Sequence, residues 1–397
     1  MTEEQKSRQR RVSVFDTTLR DGEQAPMNAM RPEQKLALAL RIEALGVDAV
    51  ETGFPASSPS EFEAAQLISQ HLTTARLVTF NRAVRGDIEA AAKAAGTDNH
   101  QIQIMATGSD MHIVHKRGIT RKEAVEEVHD AVSYARLLGF TDISVPIEDA
   151  SRGEDDLLQA IVETALDAGA RTFVIGDTSG CLTPAEYGDL IARFRRWAPD
   201  PAVISTHCHD DFGLSVANSL AGVDAGAGEI QATLGGIGER AGNTALEEVA
   251  AILLYKGEKL GYYSDIKTED MYGAYDLLRE TIRLAEPRNK SIFGEFAFGT
   301  AAGVHQQGYL RNPATYEYVE PARFGRDRTI MVGRHSGRVV LRYVLDQLDY
   351  KADDDELNEL YNTYIAGRTD SDVERLDGLK AHLAEVLSVD AAATRRR

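Results

Sequence analysis

The sequence predicts an α/β chain, a closed (β/α)8 TIM barrel followed by small, mainly helical C-terminal subdomains. Three observations predict it. From Val12 to about Gly261, short β-branched runs alternate with amphipathic helical stretches without a break. Such alternation implies parallel strands joined by crossover helices. The alternation repeats eight times, which is the number that closes a barrel. Polar residues recur after nearly every strand, and no glycine-rich fingerprint follows the first one. Both facts count against an open, doubly wound sheet with a single switch point.

The strands are expected at 12–17, 48–54, 76–80, 101–106, 142–147, 172–177, 202–206 and 229–234. The helices between and after them are expected at 32–45, 60–72, 85–95, 121–138, 155–168, 184–197, 215–225 and 244–260. Pro32 fits a first helical turn, Ser60 with Glu63 reads as a capping box, and Thr183-Pro184 opens the sixth helix. Gly46, Gly139, Gly169 and Gly226 fit helix ends. Beyond Leu260 the pattern changes. Residues 265–285 read as one amphipathic helix, 287–311 are rich in glycine and aromatic residues, and 339–387 are mostly helical.

The expected organisation is a disordered lead at 1–11, a catalytic barrel at 12–285, and C-terminal subdomains at 286–397 that pack on their own or a partner's barrel. The Arg395-Arg396-Arg397 end is expected to fray.

Composition narrows the function. The chain has 397 residues, 43% of them hydrophobic and 27% charged, which fits a soluble globular protein with a large core. A formal charge of −18 argues against a nucleic-acid partner. Cys181 and Cys208 are the only cysteines, too few for a disulfide framework and in keeping with a cytoplasmic protein. No apolar run is long enough to span a bilayer.

The chemistry should sit at the strand ends. Arg20/Asp21, Glu51, Asn81, Thr107/Ser109, Glu148/Asp149, Asp177/Thr178, His207/His209 and Asn243 all follow or end a strand. In a barrel they converge on the C-terminal face. The stretch Phe15-Asp16-Thr17-Thr18-Leu19-Arg20-Asp21-Gly22-Glu23-Gln24 reads as a buried strand ending in a polar site. Arg20 offers a planar fork for a carboxylate or oxyanion, and Asp21 offers a hard oxygen ligand. The bland alternative is a strand end with an ion pair.

His207 and His209 lie two apart on a strand, so both point to one face. Alone, the pair fits a metal site or two hydrogen-bonded histidines. In a closed barrel, strands one, seven and eight are neighbours, so a carboxylate on the first and a carboxamide after the eighth reach the same point. Two imidazoles plus oxygen ligands suit a divalent ion: zinc, manganese, cobalt or magnesium, with magnesium the poorest match. Cys208 points away from both histidines by strand alternation.

Taken together, the 15–24 stretch, Glu51-Thr-Gly-Phe-Pro-Ala-Ser-Ser-Pro59, Glu148-Asp-Ala, Asp177-Thr178, His207-Cys-His-Asp-Asp211 and Gly238-Glu-Arg-Ala-Gly-Asn243 resemble a known family. It is that of the acyl-CoA-dependent Claisen condensing enzymes: the 2-isopropylmalate, homocitrate and citramalate synthases, which are metal-dependent TIM barrels. The resemblance runs from about Val12 to about Arg338. It implies Asp21, His207 and His209 as metal ligands, with Asn243 a fourth ligand or near neighbour. Arg20 would face the 2-oxo acid and its oxyanion. Glu148 and Thr178 would line the same pocket, with Asn81, Pro146 and Val174 near the side chain of the 2-oxo acid. Gly235, Gly236, Gly238 and Glu239 would lie near acetyl-CoA. His305 resembles a histidine brought in from a partner subunit of a homodimer, with Tyr316 as its companion. His305 and Glu148 would share the role of base. His112 and His115 are expected on a loop near the acyl-CoA.

The resemblance also shows departures. Isopropylmalate synthases usually carry serine where this chain has Pro146 and asparagine where it has Val174. Glu148-Asp-Ala-Ser-Arg152 leans toward homocitrate synthases. The expected reaction joins acetyl-CoA to a 2-oxo acid, most like 2-isopropylmalate synthase acting on 2-oxoisovalerate. The alternatives are 2-oxoglutarate, an aromatic 2-oxo acid or a phosphonate-bearing one. A 3-hydroxyacyl-CoA lyase is disfavoured because 299–308 has no cysteine. The chain stops where long isopropylmalate synthases continue, so no leucine-sensing domain is expected.

Overall fold

The structure is a computed structural model that describes residues 8–369 and 372–394. The chain divides into two compact units, Met1–Ala285 and Glu286–Arg397. The first unit is a closed barrel of eight parallel strands. They are β1 (Ser13–Asp16), β2 (Ala49–Glu51), β3 (Arg76–Arg82), β4 (His100–Thr107), β5 (Asp142–Glu148), β6 (Thr172–Asp177), β7 (Val203–Cys208) and β8 (Glu229–Ala232). Closure is made by β1 against β8, with Ser13 opposite Glu229 and Asp16 opposite Ala232.

The crossover helices are α1 (Pro32–Ala44), α2 (Pro59–Ser69), α3 (Arg85–Ala95), α4 (Arg121–Leu137), α5 (Asp155–Ala168), α6 (Pro184–Trp197), α7 (Ser215–Asp224) and α8 (Leu246–Leu260). Local chemistry sets their ends. Thr120 with Glu123 and Thr183 with Glu186 form reciprocal caps, and Gly169 closes α5 in a left-handed conformation. The cap of α2 is Ser58, whose side chain accepts from Glu61 N, rather than the expected Ser60. Pro59, with its fixed φ and no N–H, fits the first helical position and starts the helix earlier.

Strand alternation divides the barrel into two layers. Ile102, Ile104, Val145, Ile147, Phe173 and Ile175 pack with Leu158, Ile161, Ile191 and Phe194 of the helices in one buried cluster. Phe15, Ala49 and Val78 form a separate small cluster. Above it, alternate strand residues end in polar groups, and the C-terminal loops carry the rest.

Two expectations are corrected here. Arg10 and Arg11, placed by the sequence in a disordered lead, pair in parallel with Tyr262 and Tyr263. Arg10 also donates to the carbonyls of Ala227 and Val223, and Arg11 pairs with Asp48 and Asp265. Residues 1–7 and the 395–397 end lie outside the described residues. Within 265–285 the helix is shorter than expected, α9 (Met271–Ile282).

The second unit packs α10 (Gly303–Arg311), α11 (Arg338–Gln347), α12 (Asp354–Tyr361) and α13 (Leu376–Thr394) around Val332, Val340, Leu341, Val344, Leu345, Leu357 and Leu379. It is mainly helical but also contains a small sheet of Gly299–Thr300, Thr329–Val332 and Glu374–Arg375.

Candidate active site

The turn after β1 places two charged side chains side by side. Thr17 O accepts from the N–H groups of Arg20, Asp21 and Gly22, which coils the chain back over the strand end. Arg20 Nε then donates to Glu51 Oε2 on β2 at 2.8 Å, and Arg20 Nη1 lies 3.3 Å from Asp21 Oδ2. Thr17 Oγ1 donates to the same Glu51 oxygen at 2.5 Å. The guanidinium sits 4.6 Å from the centre of the Phe80 ring. Glu51 is fully buried, so Arg20 is held in one orientation.

Asp21 meets His207, in β7, and His209, just past its end. His207 Nε2 is 3.0 Å and His209 Nε2 3.9 Å from Asp21 Oδ2. One ligand atom from each of the three residues lies within 4.8 Å of the others. His207 Nδ1 lies 3.0 Å from Gln231 Oε1, a contact that turns Nε2 toward Asp21. Burial works against ionisation of Asp21, but Arg20 and then His207 outweigh it and hold its pKa well below the usual carboxylate range. Burial, then the neighbouring His207, lowers the His209 pKa to about 4, so its imidazole is neutral and able to ligate at neutral pH.

Asn243 lies opposite His209 in an isolated antiparallel bridge. Its Nδ2 donates to Ile237 O at 3.2 Å, while its Oδ1 is buried without a hydrogen-bond partner. A Cβ at Gly238 would lie 2.1 Å from that Nδ2, so only glycine there leaves the carboxamide room. One carboxylate, two imidazoles and an unpartnered carboxamide oxygen are a donor set that fits a divalent transition ion.

A cavity of about 780 Å³ opens beside this cluster, and all its lining residues belong to the first unit. Arg20, Asp21, His207, His209, Glu148, Thr178, Pro146, Val174 and Glu239 line it. Thr178 Oγ1 accepts from Asp149 N at 2.9 Å and keeps its own proton to donate. Glu148 Oε1 accepts from Lys116 Nζ at 2.6 Å. Phe54, Phe80, Met105, Pro146 and Val174 supply apolar wall. Each arginine or lysine in the lining already faces a carboxylate: Arg20 to Glu51, Arg82 to Asp87, Lys116 to Glu148, Arg117 to Glu127 and Arg240 to Asp211.

Several expected residues lie elsewhere. Asn81 is fully buried but does not line the cavity. Its Nδ2 donates to Thr79 O, Thr79 Oγ1 and Gln103 O. β3 runs on to Arg82, and alternation turns Phe80 and Arg82 inward instead. Of the four residues expected near acetyl-CoA, only Glu239 lines the cavity. Gly235 shapes the loop instead: its φ is +76°, and a Cβ there would lie 2.4 Å from Tyr275. His305 and Tyr316 belong to the second unit, where both are exposed and their rings touch, tilted by 37° with centroids 4.4 Å apart. His112 is not at the cavity surface but beside Glu148, with Nδ1 3.2 Å from Oε2. Cys208 is buried away from the histidines, and burial pushes its thiol up to about 12.

Sequence reasoning missed three features. Gln231 sits in a strand whose four residues are all buried, so no alternation flags it. Lys35 is a fully buried lysine on α1, paired with Glu23 and with Glu61, the latter at 2.5 Å. Asp16 is fully buried and accepts from Thr18 N and Oγ1, and burial pushes its pKa up to about 7.

Comparison with known proteins agrees with this geometry. Residues 11–278 match the family described as HMGL-like, and residues 292–368 match that described as homocitrate synthase post-HMGL domain-like. The chain is 41% identical over 360 residues to the 2-isopropylmalate synthase of Shewanella amazonensis, covering 89% of this chain and 69% of that one. It is 40% identical over 359 residues to the 2-isopropylmalate synthase of Bacillus velezensis, with the same coverage. Among solved structures, the HMG-CoA lyase of Brucella melitensis superposes with a TM-score of 0.60 at 19% identity, over 69% of this chain and 99% of that one. The carboxyl transferase domain of Rhizobium etli pyruvate carboxylase gives 0.53 at 18%, over 71% of this chain and 49% of that one. At such identities these two structures share the fold alone. The barrel, the cluster at its mouth and the relatives agree, and the chain belongs to the family of acyl-CoA-dependent Claisen condensing enzymes that includes the 2-isopropylmalate and homocitrate synthases.

Proposed function

We propose that this protein condenses acetyl-CoA with a 2-oxo acid of apolar side chain, 2-oxoisovalerate foremost, to give a 2-substituted malate and CoA. One observation carries the reading: the Asp21–His207–His209 cluster and Arg20 face a cavity in which Phe54, Phe80, Met105, Pro146 and Val174 form an apolar stretch of wall and every arginine or lysine is paired with a carboxylate. An acid such as 2-oxoglutarate, or a phosphonate, brings a second anionic group that would need an uncompensated cation. The pairing therefore favours an apolar acid.

Asp21, His207 and His209 would hold the divalent ion, with Asn243 Oδ1 the fourth candidate. Bound there, the ion supplies electrophilic polarisation of the 2-oxo group. Arg20, fixed by Glu51, is placed to donate to the oxygen that gains charge at the ketone carbon. Thr178 has a hydroxyl proton to offer the substrate carboxylate. Pro146 and Val174 would pack against the acid's side chain. Glu239 and the turn of Gly235, Gly236 and Gly238 would lie along acetyl-CoA. Glu148 takes part in removing the methyl proton of acetyl-CoA, and the carbanion attacks the ketone carbon. Water then cleaves the thioester and CoA leaves as the thiol.

His305, with Tyr316, is assigned to the same proton transfer, delivered by a second copy of the chain in a homodimer. Their exposure and their ring contact leave His305 available for such a role. In this reading residues 12–285 form the catalytic part and 286–397 the part that reaches the partner, in a cytoplasmic enzyme. The test is thiol release from acetyl-CoA in the presence of 2-oxoisovalerate, with the product identified by mass. Chelation should abolish release, and manganese, cobalt or zinc should restore it. Release that survives chelation would contradict the proposal.

A further inference from the structure

Glu148 is held on one side only. Its Oε1 accepts from Lys116 Nζ at 2.6 Å, while its Oε2 is buried and accepts no hydrogen bond. His112 Nδ1 lies 3.2 Å from that Oε2 and is likewise buried without a partner. A donor and an acceptor thus face each other at hydrogen-bond distance but out of alignment. Leaving both unpaired is unfavourable, and a small rotation of the carboxylate joins them.

The surroundings keep His112 in place for that bond. Ser109 Oγ accepts from His112 N at 3.2 Å and donates to Asp149 Oδ2 at 2.5 Å. His112 Nε2 lies 3.7 Å from the same Asp149 oxygen. Asp149 also accepts from Arg152 Nε and sits in the left-handed region, at φ 59° and ψ 32°. A non-glycine residue held there marks a turn fixed by its surroundings. That turn carries Glu148 on one side and, through Asp149 N, the Thr178 hydroxyl on the other. Glu148 and Lys116 line the cavity and His112 does not, so His112 meets the carboxylate without meeting the space for substrate.

We propose that His112 is a positioning residue for Glu148. Its Nδ1–H closes a hydrogen bond to Oε2 that, with Lys116 on Oε1, aims the carboxylate at the acyl methyl group. This rests on the reading that Glu148 takes part in proton removal. A purely structural His112 would affect stability alone. A positioning His112 affects the proton-transfer step.

The test compares His112→Ala, His112→Asn and His112→Gln in the full-length, metal-loaded protein, with Glu148→Gln as the reference. His112→Ala should lower kcat on the order of 10–100-fold, the cost of a misplaced reacting group, with little change in KM for the 2-oxo acid. The isotope effect on kcat with trideuterated acetyl-CoA should rise, because proton removal becomes slower than the later steps. Asparagine places an amide where Nδ1 stood and should recover most of the loss, whereas glutamine, which mimics Nε2, should not. If the alanine variant does not fold, the asparagine–glutamine difference carries the test. Equal kcat in those two variants, or a folded His112→Ala with wild-type kcat and isotope effect, would overturn the inference. Near-wild-type turnover in Glu148→Gln would instead overturn the role of Glu148, and the inference with it.

Discussion

Gln231 orients His207. The 3.0 Å contact between His207 Nδ1 and Gln231 Oε1 turns Nε2 toward Asp21, so the ring orientation that can ligate a metal is fixed by a neighbouring strand. Gln231→Leu should keep the fold and leave the ring free to rotate. Affinity for the divalent ion should fall about 10–100-fold, as measured by chelator competition. Unchanged affinity would mean that the three ligands need no such orientation.

Arg20 joins Glu51, Asp21 and the Phe80 ring. Its removal should lose about 3 kcal/mol of transition-state stabilisation, measured as kcat/KM in Arg20→Ala. Arg20→Lys keeps the charge but not the fork, and should recover only part of the loss. A variant that kept most of its turnover would contradict the assignment.

Lys35 ties the turn after β1 to the loop after β2. It pairs with Glu23 and Glu61, and Glu61 Oε2 also accepts from Phe54 N at 3.0 Å. Lys35→Met would leave two largely buried carboxylates without their cation. Unfolding free energy should fall by about 3–5 kcal/mol in denaturant titration. Because Phe54 belongs to the cavity wall, KM for the 2-oxo acid should rise as well.

Asp16 makes stability depend on pH. Burial raises its pKa from the ordinary 3.8 to about 7 in the folded state. Between those values the folded chain binds a proton that the unfolded chain has lost. Its contribution to stability is therefore fully present below about pH 4 and is lost as pH rises toward 7. Against Asp16→Asn, which cannot titrate, the wild type should lose up to about 1.4 kcal/mol per pH unit across that window and then level off. Parallel stability curves for the two proteins would show that Asp16 does not carry the shift.

Much of the barrel was legible because apolar period and end signals agree. α3, α5 and α6 begin and end where periodicity and their flanking proline or glycine place them. The ligands were legible because His207 and His209 share one strand face, and closure brings β1 beside β8. Asn81 was misplaced because its strand is two residues longer than its apolar run, and side-chain direction near a strand end depends on where the strand stops. Lys35 and His112 were illegible for another reason. Each is defined by carboxylates distant in sequence, and nothing local to a lysine on a helix or a histidine in a loop announces such partners. The short sheet of the second unit rests on two-residue pairings, too brief to leave a period.

The most direct measurement is kcat/KM for metal-dependent CoA release across 2-oxoisovalerate, 2-oxoglutarate, pyruvate, phenylpyruvate and phosphonopyruvate, for the wild type and Val174→Ala. We predict that 2-oxoisovalerate leads in the wild type and that the two acids with an anionic side chain, 2-oxoglutarate and phosphonopyruvate, are poor. Removing two methyl groups from the wall at Val174 should then favour the bulkier apolar acid over 2-oxoisovalerate by roughly 10-fold. A wild type that prefers 2-oxoglutarate or phosphonopyruvate would contradict the apolar pocket, and a folded, metal-loaded protein that releases CoA with none of the five would contradict the proposed condensation with these acids.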